Sequence, residues 1–229
     1  MDKRFWAIIG VIVVIFGGIL IFHDNKSNTG GASGGGTPTN HVEGNLSSKV
    51  TLVEYGDYQC PVCEGYFTTV QQVQQKYNDR IKFQFRNLPL ISAHPNALAG
   101  ARAAEAADMQ GKFWQMHDLL YDSQNYNEWA YDPAANGIRS TDPTPFFKQY
   151  AAQLGLNVAK FQSDFASSAA NNRVQADIAA FAKTGQEEAT PSFFINGTYI
   201  SNTKLVDSTG SPSLDAFSKV IDTALKNNQ

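Results

Sequence analysis

Cys60 and Cys63 are the only cysteines in the chain, and they stand three positions apart in Gln59-Cys60-Pro61-Val62-Cys63. On a helical turn, residues i and i+3 share a face with Cα atoms about 5 to 6 Å apart, a separation that suits a disulfide. Such a pair can open and close with little backbone movement. Pro61 fits the first turn of a helix, where its missing N–H costs nothing, so a helix is expected to begin at Cys60. A thiol there faces unpaired N–H groups and the positive end of the helix dipole, and both favour thiolate. Cys60 is therefore expected to be the exposed, attacking or attacked sulfur with a depressed pKa. Cys63, one turn inside, is the shielded, resolving one, and Pro61 and Val62 are the dipeptide between them.

Other uses of the pair explain less. A structural zinc site needs two more ligands, yet there is no second C-x-x-C, and His23, His41, His94 and His117 lack the paired spacing of a zinc module. A purely structural disulfide across so small a loop removes little unfolded-state entropy. No metal is expected. The Asp and Asn residues between Asp122 and Asp142 fit no EF-hand spacing and read as a solvated loop, while His94 and His117 read as packing or capping residues.

The elements that must hold the cysteines follow from hydrophobic periodicity. Lys49 to Tyr55 (KVTLVEY) reads as a buried strand whose alternation puts Glu54 on the same face as Val50 and Leu52. A buried carboxylic acid has a raised pKa and can trade protons near neutrality, which makes Glu54 a candidate to pass a proton to or from Cys63. The alternative pairs it with Lys49 or Lys82. Val62, Tyr66, Val70, Val73 and Tyr77 form one helical stripe, and Ile81, Phe83 and Phe85 alternate with Lys82, Gln84 and Arg86 in a half-exposed strand. Strand, helix and strand make a βαβ unit. Near the C-terminus, Asn196-Gly197 separates two short apolar runs as a hairpin, and Leu214, Phe217, Val220, Ile221 and Leu225 mark a last helix over 212–225. Between the halves, from about 90 to 185, helical patterns occur at 95–109, 112–121, 144–154, 158–168 and 171–184. The expected order is βαβ, an all-helical insertion, then ββα. Tyr58 and Phe67, with Tyr55 and Tyr66, cluster near the cysteines as candidates for an apolar surface that takes unfolded peptide, with core packing the alternative for Tyr55 and Tyr66.

Composition narrows the function classes. With 42% apolar and 17% charged residues the chain is built to fold, and a net charge of −3 supplies no field for phosphate backbones, so nucleic acid is not an expected partner. Phe5 to Phe22 is an uncharged run of 18 residues. As a helix it spans ~27 Å, enough to cross a bilayer once. Lys3 and Arg4 precede it, which puts the N-terminus in the cytoplasm and the rest outside, anchored to the cell membrane; a cleaved signal peptide is the alternative. Residues 23–47, with GGASGGG at 30–36, read as a flexible linker. The expected parts are a cytoplasmic stub and anchor at 1–22, that linker, and a folded head at 48–229.

The motifs VTLVEYGDYQCPVC, FQFRNLPLISAHPNA, GKFWQMHDLLY and ATPSFFINGTYI resemble, in that order, the DsbA-like thiol:disulfide oxidoreductases, and most of all their membrane-tethered members in bacteria without a conventional periplasm. The resemblance covers nearly all of residues 48–229. It implies an α/β thioredoxin fold with an inserted helical domain and a redox site at Cys60-Pro61-Val62-Cys63 that needs no cofactor beyond its own disulfide. It further implies a cis Thr190-Pro191 bond that places Thr190 beside Cys60, and it matches Glu54 to the acid the family buries beneath the site. The implied activity is oxidation of reduced exported proteins by a monomer, followed by reoxidation through a quinone-linked membrane protein of the DsbB or vitamin K epoxide reductase type. A reductase or isomerase using the same site, or a redox-inactive peptide-binding module, are the alternatives.

Overall fold

The computed structural model describes residues 36–228. The expected membrane-crossing helix at 5–22 and the linker through residue 35 lie outside them. Among the described residues no helix is long and apolar enough to cross a membrane.

Strands β1 (His41–Gly44), β2 (Thr51–Gly56), β3 (Lys82–Asn87), β6 (Ser192–Ile195) and β7 (Thr198–Ile200) form one sheet in the order β1-β3-β2-β6-β7. Helix α1 (Pro61–Tyr77) links β2 to its parallel neighbour β3, and the remaining pairs are antiparallel. Asn196 and Gly197 both have positive φ, 48° and 80°, so the β6–β7 turn takes the twist that a two-residue hairpin requires. Helix α8 (Leu214–Lys226) packs beside α1, and its Phe217 meets Phe193 and Tyr66 on one face of the sheet. The insertion supplies α2 (Ala97–Asp108), α3 (Phe113–Tyr121), α4 (Ser123–Trp129), α5 (Thr144–Gln153), α6 (Val158–Ala166) and α7 (Ser168–Ala182). The architecture is thus the expected thioredoxin fold with a helical insertion.

Three expectations need correction. The linker does not run to residue 47, because β1 pairs with β3 and the segment before it is fixed: Thr39 N and Oγ1 each donate to Asp177 of α7 at 2.7 Å. The polar composition of this segment hid a strand whose partners lie far along the chain. Residues 122–142 are not merely solvated loop, for they hold α4 and a small β4–β5 ladder (Tyr131–Asp132 with Gly137–Ile138), and Tyr126 and Trp129 of α4 are buried. Nor is β3 half-exposed. Gln84 and Asn87 are buried, since β1 makes β3 an inner strand and α7 covers its second face.

Asp177 is the bolt of this arrangement. It is fully buried and also accepts from Asn87 N at 3.0 Å and Asn87 Nδ2 at 3.2 Å, so one carboxylate ties the segment before β1, β3 and α7 together. Beside it, His41 of β1 lies 2.8 Å from Glu105 and 3.5 Å from Asp108, and Arg173 pairs with both acids. Burial alone would lower the His41 pKa, but hydrogen bonds and charge from Asp108 and Glu105 outweigh it and hold the imidazole up to about 9. Replacing Asp177 with Ala strands several buried donors and is expected to lower unfolding free energy by about 3 kcal/mol in urea titrations. A loss below ~0.5 kcal/mol would show that the bolt bears no strain. The His41 contribution is complete below pH ~6.5 and disappears as pH rises through about 9. The wild-type urea midpoint should therefore fall across that window, and that of His41→Gln should stay flatter.

Candidate dithiol active site

β2 carries Leu52 and Glu54 on the α1 face and Val53 and Tyr55 on the other, and it delivers the chain to a turn at Asp57-Tyr58-Gln59 immediately before α1. The turn is rigid. Cys60 N donates to Asp57 O at 3.1 Å and Gln59 N to Asp57 Oδ1 at 2.8 Å. Gln59 is itself buried; its Nε2 donates to Ala130 O and Arg139 O, its Oε1 accepts from Asn96 N, and its carbonyl accepts from Tyr126 Oη. The residue before the first cysteine is thereby fastened to the helical insertion.

Cys60 occupies the N-cap of α1, Pro61 is the first helical residue, and Cys63 lies one turn inside. Both cysteines are free thiols and both are buried, which corrects the expectation of an exposed Cys60: only 5% of it meets solvent. Their surroundings differ sharply all the same. Cys63 acts first as hydrogen-bond donor to the Cys60 sulfur, and this, helped by the Thr190 hydroxyl and the Cys63 backbone N–H against the cost of burial, lowers the Cys60 pKa to about 6. Burial and the adjacent Cys60 sulfur push the Cys63 thiol far up. The asymmetry expected from the helix start is present, with a hydrogen bond between the sulfurs as its largest source.

Thr190-Pro191 is cis and leads into β6. As a thiol, Cys60 Sγ donates to Thr190 O at 3.5 Å. A thiolate cannot donate, but Thr190 Oγ1 is buried without another partner and can turn its proton to the sulfur. Glu54 is opposed in register by Phe85 on β3 and Phe193 on β6, and it is 4% exposed. It pairs with neither Lys49 nor Lys82, and burial among these rings raises its pKa to about 8. Burial above all raises the thiol of Cys63 and the phenols of Tyr58 and Tyr121, whose hydroxyls have no partners among the described residues, and charge on Glu54 adds to it. Glu54 and Cys63 therefore share one buried compartment.

The proposed peptide-contacting aromatics fare differently. Tyr58 is 1% exposed and packs against Phe85 and Tyr121, so it faces no client, and Phe67 is half-buried against Tyr121 and His117. The exposed large apolar side chains include Val62, 53% exposed, and Ile91, 63% exposed, in the loop after β3. That loop is tied to the cysteine turn by an ion pair that sequence patterns did not single out. His94 Nδ1 lies 2.6 Å from Asp57 Oδ2, which also accepts from Leu90 N. The Asp57 hydrogen bond leads in raising the His94 pKa, and the Cys60 charge adds to it. The early signal was Asp57 itself, an acid three residues before a nucleophile. Among the described residues, His41, Glu105 and Asp108 are the one group close enough to share a metal ion, and Arg173 already bridges two of them.

A five-stranded sheet with a helical insertion, a cysteine pair at the first turn of a helix and a cis-proline opposite it define the DsbA-type thioredoxin fold. The family model described as thioredoxin matches residues 36–223, and the chain belongs to that family. Among solved structures it resembles BdbD from Bacillus subtilis in its oxidised form (TM-score 0.65, 21% identity, 83% of this chain and 97% of that one). It also resembles alpha-DsbA1 from Wolbachia pipientis (TM-score 0.64, 22%, 84% and 94%) and a thioredoxin-like oxidoreductase from Silicibacter pomeroyi (TM-score 0.62, 23%, 82% and 92%). At these identities the likeness is one of fold. Curated relatives include Na(+)/H(+) antiporter NhaA 1 from Mycolicibacterium vanbaalenii, 35% identical over 159 residues, and NhaA 3 from Salinispora tropica, 35% over 157. Each match takes in 69% of this chain but only 23% and 22% of the relative, so the chain spans less than a quarter of the length of these proteins.

Iodoacetamide should label the reduced protein at Cys60 with a midpoint near pH 6, read by mass spectrometry of quenched samples. Preferential labelling of Cys63 would reverse the assignment. His94→Asn removes a cation near the thiolate, so it should move that midpoint upward by roughly half a unit or more while leaving the far-ultraviolet spectrum intact.

Proposed function

We propose that the protein is an extracytoplasmic thiol:disulfide oxidoreductase of the DsbA type, anchored to the cell membrane through residues 5–22, which oxidises reduced exported proteins through Cys60 and Cys63. What supports this reading is the placement of the two sulfurs, Cys60 at the N-cap of α1 against Thr190 O and Cys63 buried one turn inside, which opposes their acidities. A Cys60 thiolate stabilised in the reduced form makes the disulfide the less stable partner, and such a disulfide passes oxidation on to its client.

In the oxidising direction, a client thiolate attacks Cys60 Sγ, the Cys60–Cys63 bond breaks, and Cys63 leaves as thiolate. Its raised pKa means that it takes a proton at once, and Glu54, neutral below about pH 8, is the acid beside it. A second client thiolate attacks the client sulfur of the mixed disulfide and releases Cys60 as thiolate. The client loses two electrons and two protons; the protein gains both electrons and holds one proton on Cys63, and the other passes to solvent. Thr190 O, next to the cis-proline, is placed to accept a hydrogen bond from an extended client backbone once the sulfur no longer uses it. Val62 and Ile91 offer apolar contact to unfolded chains. No group beyond the disulfide is needed, and a quinone-linked membrane protein of the DsbB or vitamin K epoxide reductase type would restore it.

Equilibration of the full chain with glutathione buffers should give a potential well above the roughly −270 mV of thioredoxin, with oxidative refolding of a reduced client faster than insulin reduction. A thioredoxin-like value would make it a reductase. Cys60→Ala should abolish both activities; client binding that survives unchanged, with no catalysis in the parent protein, would leave a peptide-binding module. Glu54→Gln should slow exchange by on the order of 10² and remove an inflection near pH 8. Because a carboxyl with a raised pKa penalises the fold once the unfolded chain ionises, the same variant should be more stable than the parent at pH 8 by at least ~1 kcal/mol.

A further inference from the structure

Cys60 opens α1 with a sulfur where a helix ordinarily has a side-chain oxygen to fix its start. A sulfur is a weak acceptor, so the start of the helix has to be held from elsewhere. The residue before it supplies the hold. Gln59 is fully buried, and every hydrogen-bonding group it has is used. Its Nε2 donates to Ala130 O at 3.1 Å and to Arg139 O at 2.7 Å, and its Oε1 accepts from Asn96 N at 2.6 Å. Its own N donates to Asp57 Oδ1 at 2.8 Å, and its carbonyl accepts from Tyr126 Oη at 2.7 Å.

These partners meet at one place on the insertion. Ala130 and Arg139 flank the β4–β5 ribbon, and Arg139 N donates to Ala130 O at 2.9 Å, so Gln59 grips the ribbon at both feet. Asn96 also donates from Nδ2 to Arg139 O at 3.1 Å and to Thr141 O at 2.8 Å, which closes the network around the Gln59 amide. Tyr126 holds the other side of the turn. Its ring packs against Trp129 and Tyr131, and burial, with charge on Cys60 and Cys63 adding to it, keeps its hydroxyl protonated and therefore a donor. The groups whose charge or protons face Cys60 are Cys63 of α1, Thr190 before β6, Asp57 of the turn and His94 of the loop after β3. What Gln59 governs is the direction from which the sulfur meets them.

From this geometry we propose that Gln59 is a positioning residue of the redox site: by locking the turn before Cys60 to both feet of the β4–β5 ribbon, it holds the Cys60 sulfur toward Cys63 and Thr190 and so sets how readily that sulfur exchanges. The inference rests on Cys60 as the reacting sulfur and applies to either direction of exchange, so it stands apart from the oxidase reading. A purely structural Gln59 would cost stability when replaced and leave the acidity of the sulfur where it is. A positioning residue moves that acidity. Once the turn relaxes, the sulfur loses part of its contact with the groups that favour its charge, the reduced protein is stabilised less, and the disulfide becomes relatively more stable.

The test is made on the full chain with Tyr126→Phe, which removes only the hydroxyl bonded to Gln59 O and keeps the ring, with Gln59→Ala, and with Phe147→Leu as control. Phe147 is buried in the insertion against Trp129 and bonds nothing in the turn among the described residues. Iodoacetamide labelling of Cys60 against pH is expected to move its midpoint upward by about half a unit in Tyr126→Phe and about one unit in Gln59→Ala, a loss of about threefold and tenfold in the acidity of the thiol. The equilibrium constant for reduction by glutathione at pH 7 should fall by about two- to fivefold in the same order. Phe147→Leu should lower the urea midpoint and leave both readings at their parent values. Tyr126→Phe decides the matter if Gln59→Ala fails to fold. An unmoved Cys60 midpoint in Tyr126→Phe, or an equal shift in Phe147→Leu, would overturn the proposal.

Discussion

Two sulfurs one helical turn apart sit in unlike surroundings, and most of the domain contributes to the difference. The hydrogen bond from Cys63 to Cys60 places the proton on the inner sulfur and the negative charge on the outer one. That choice is stable because Cys63 is buried with Glu54, whose own charge is disfavoured there, while Cys60 has Thr190 and the first helical N–H groups to meet its charge. Exchanging these surroundings would exchange the chemical roles.

Each part of the fold can be read as support for that asymmetry. The parallel β2–β3 pair buries Glu54 between Phe85 and Phe193. The helical insertion does more than decorate the sheet. It grips Gln59 through Ala130, Arg139, Asn96 and Tyr126, so the turn before Cys60 has little freedom to relax when the sulfur changes charge or partner. The Asp57–His94 pair joins the loop bearing Ile91 to the same turn. It also sets an imidazole near a thiolate, so that the Asp57 charge, which by itself would raise the Cys60 pKa, is partly offset.

The sheet has two faces with different tasks. One carries the cysteine pair, Glu54 and the main core. The other is closed by α7, bolted through Asp177 to Thr39 and Asn87, and buries Tyr55, the residue next to Glu54. Period-two alternation along β2 is what separates the two environments by a single residue.

Local pattern alone determined a good deal. The Cys60-Pro61-Val62-Cys63 spacing, the stripe on α1, Asn196-Gly197 and the alternation that buries Glu54 are all short-range signals, and they led to the thioredoxin halves, the helical insertion and the start of α1 at the cysteine pair. What depended on residues far apart in the chain was decided only by the tertiary structure. β1 and the segment before it looked like linker because β1 pairs with β3 and Thr39 bonds Asp177, 138 positions away. Tyr58 looked like a surface aromatic because nothing local says that Phe85 and Tyr121 enclose it. His94 looked like a capping residue because Asp57 lies 37 positions earlier. Periodicity reports which face of an element is apolar; burial, hydrogen-bond partners and the resulting pKa values are set by what is brought against that face, and that is a property of the assembled chain.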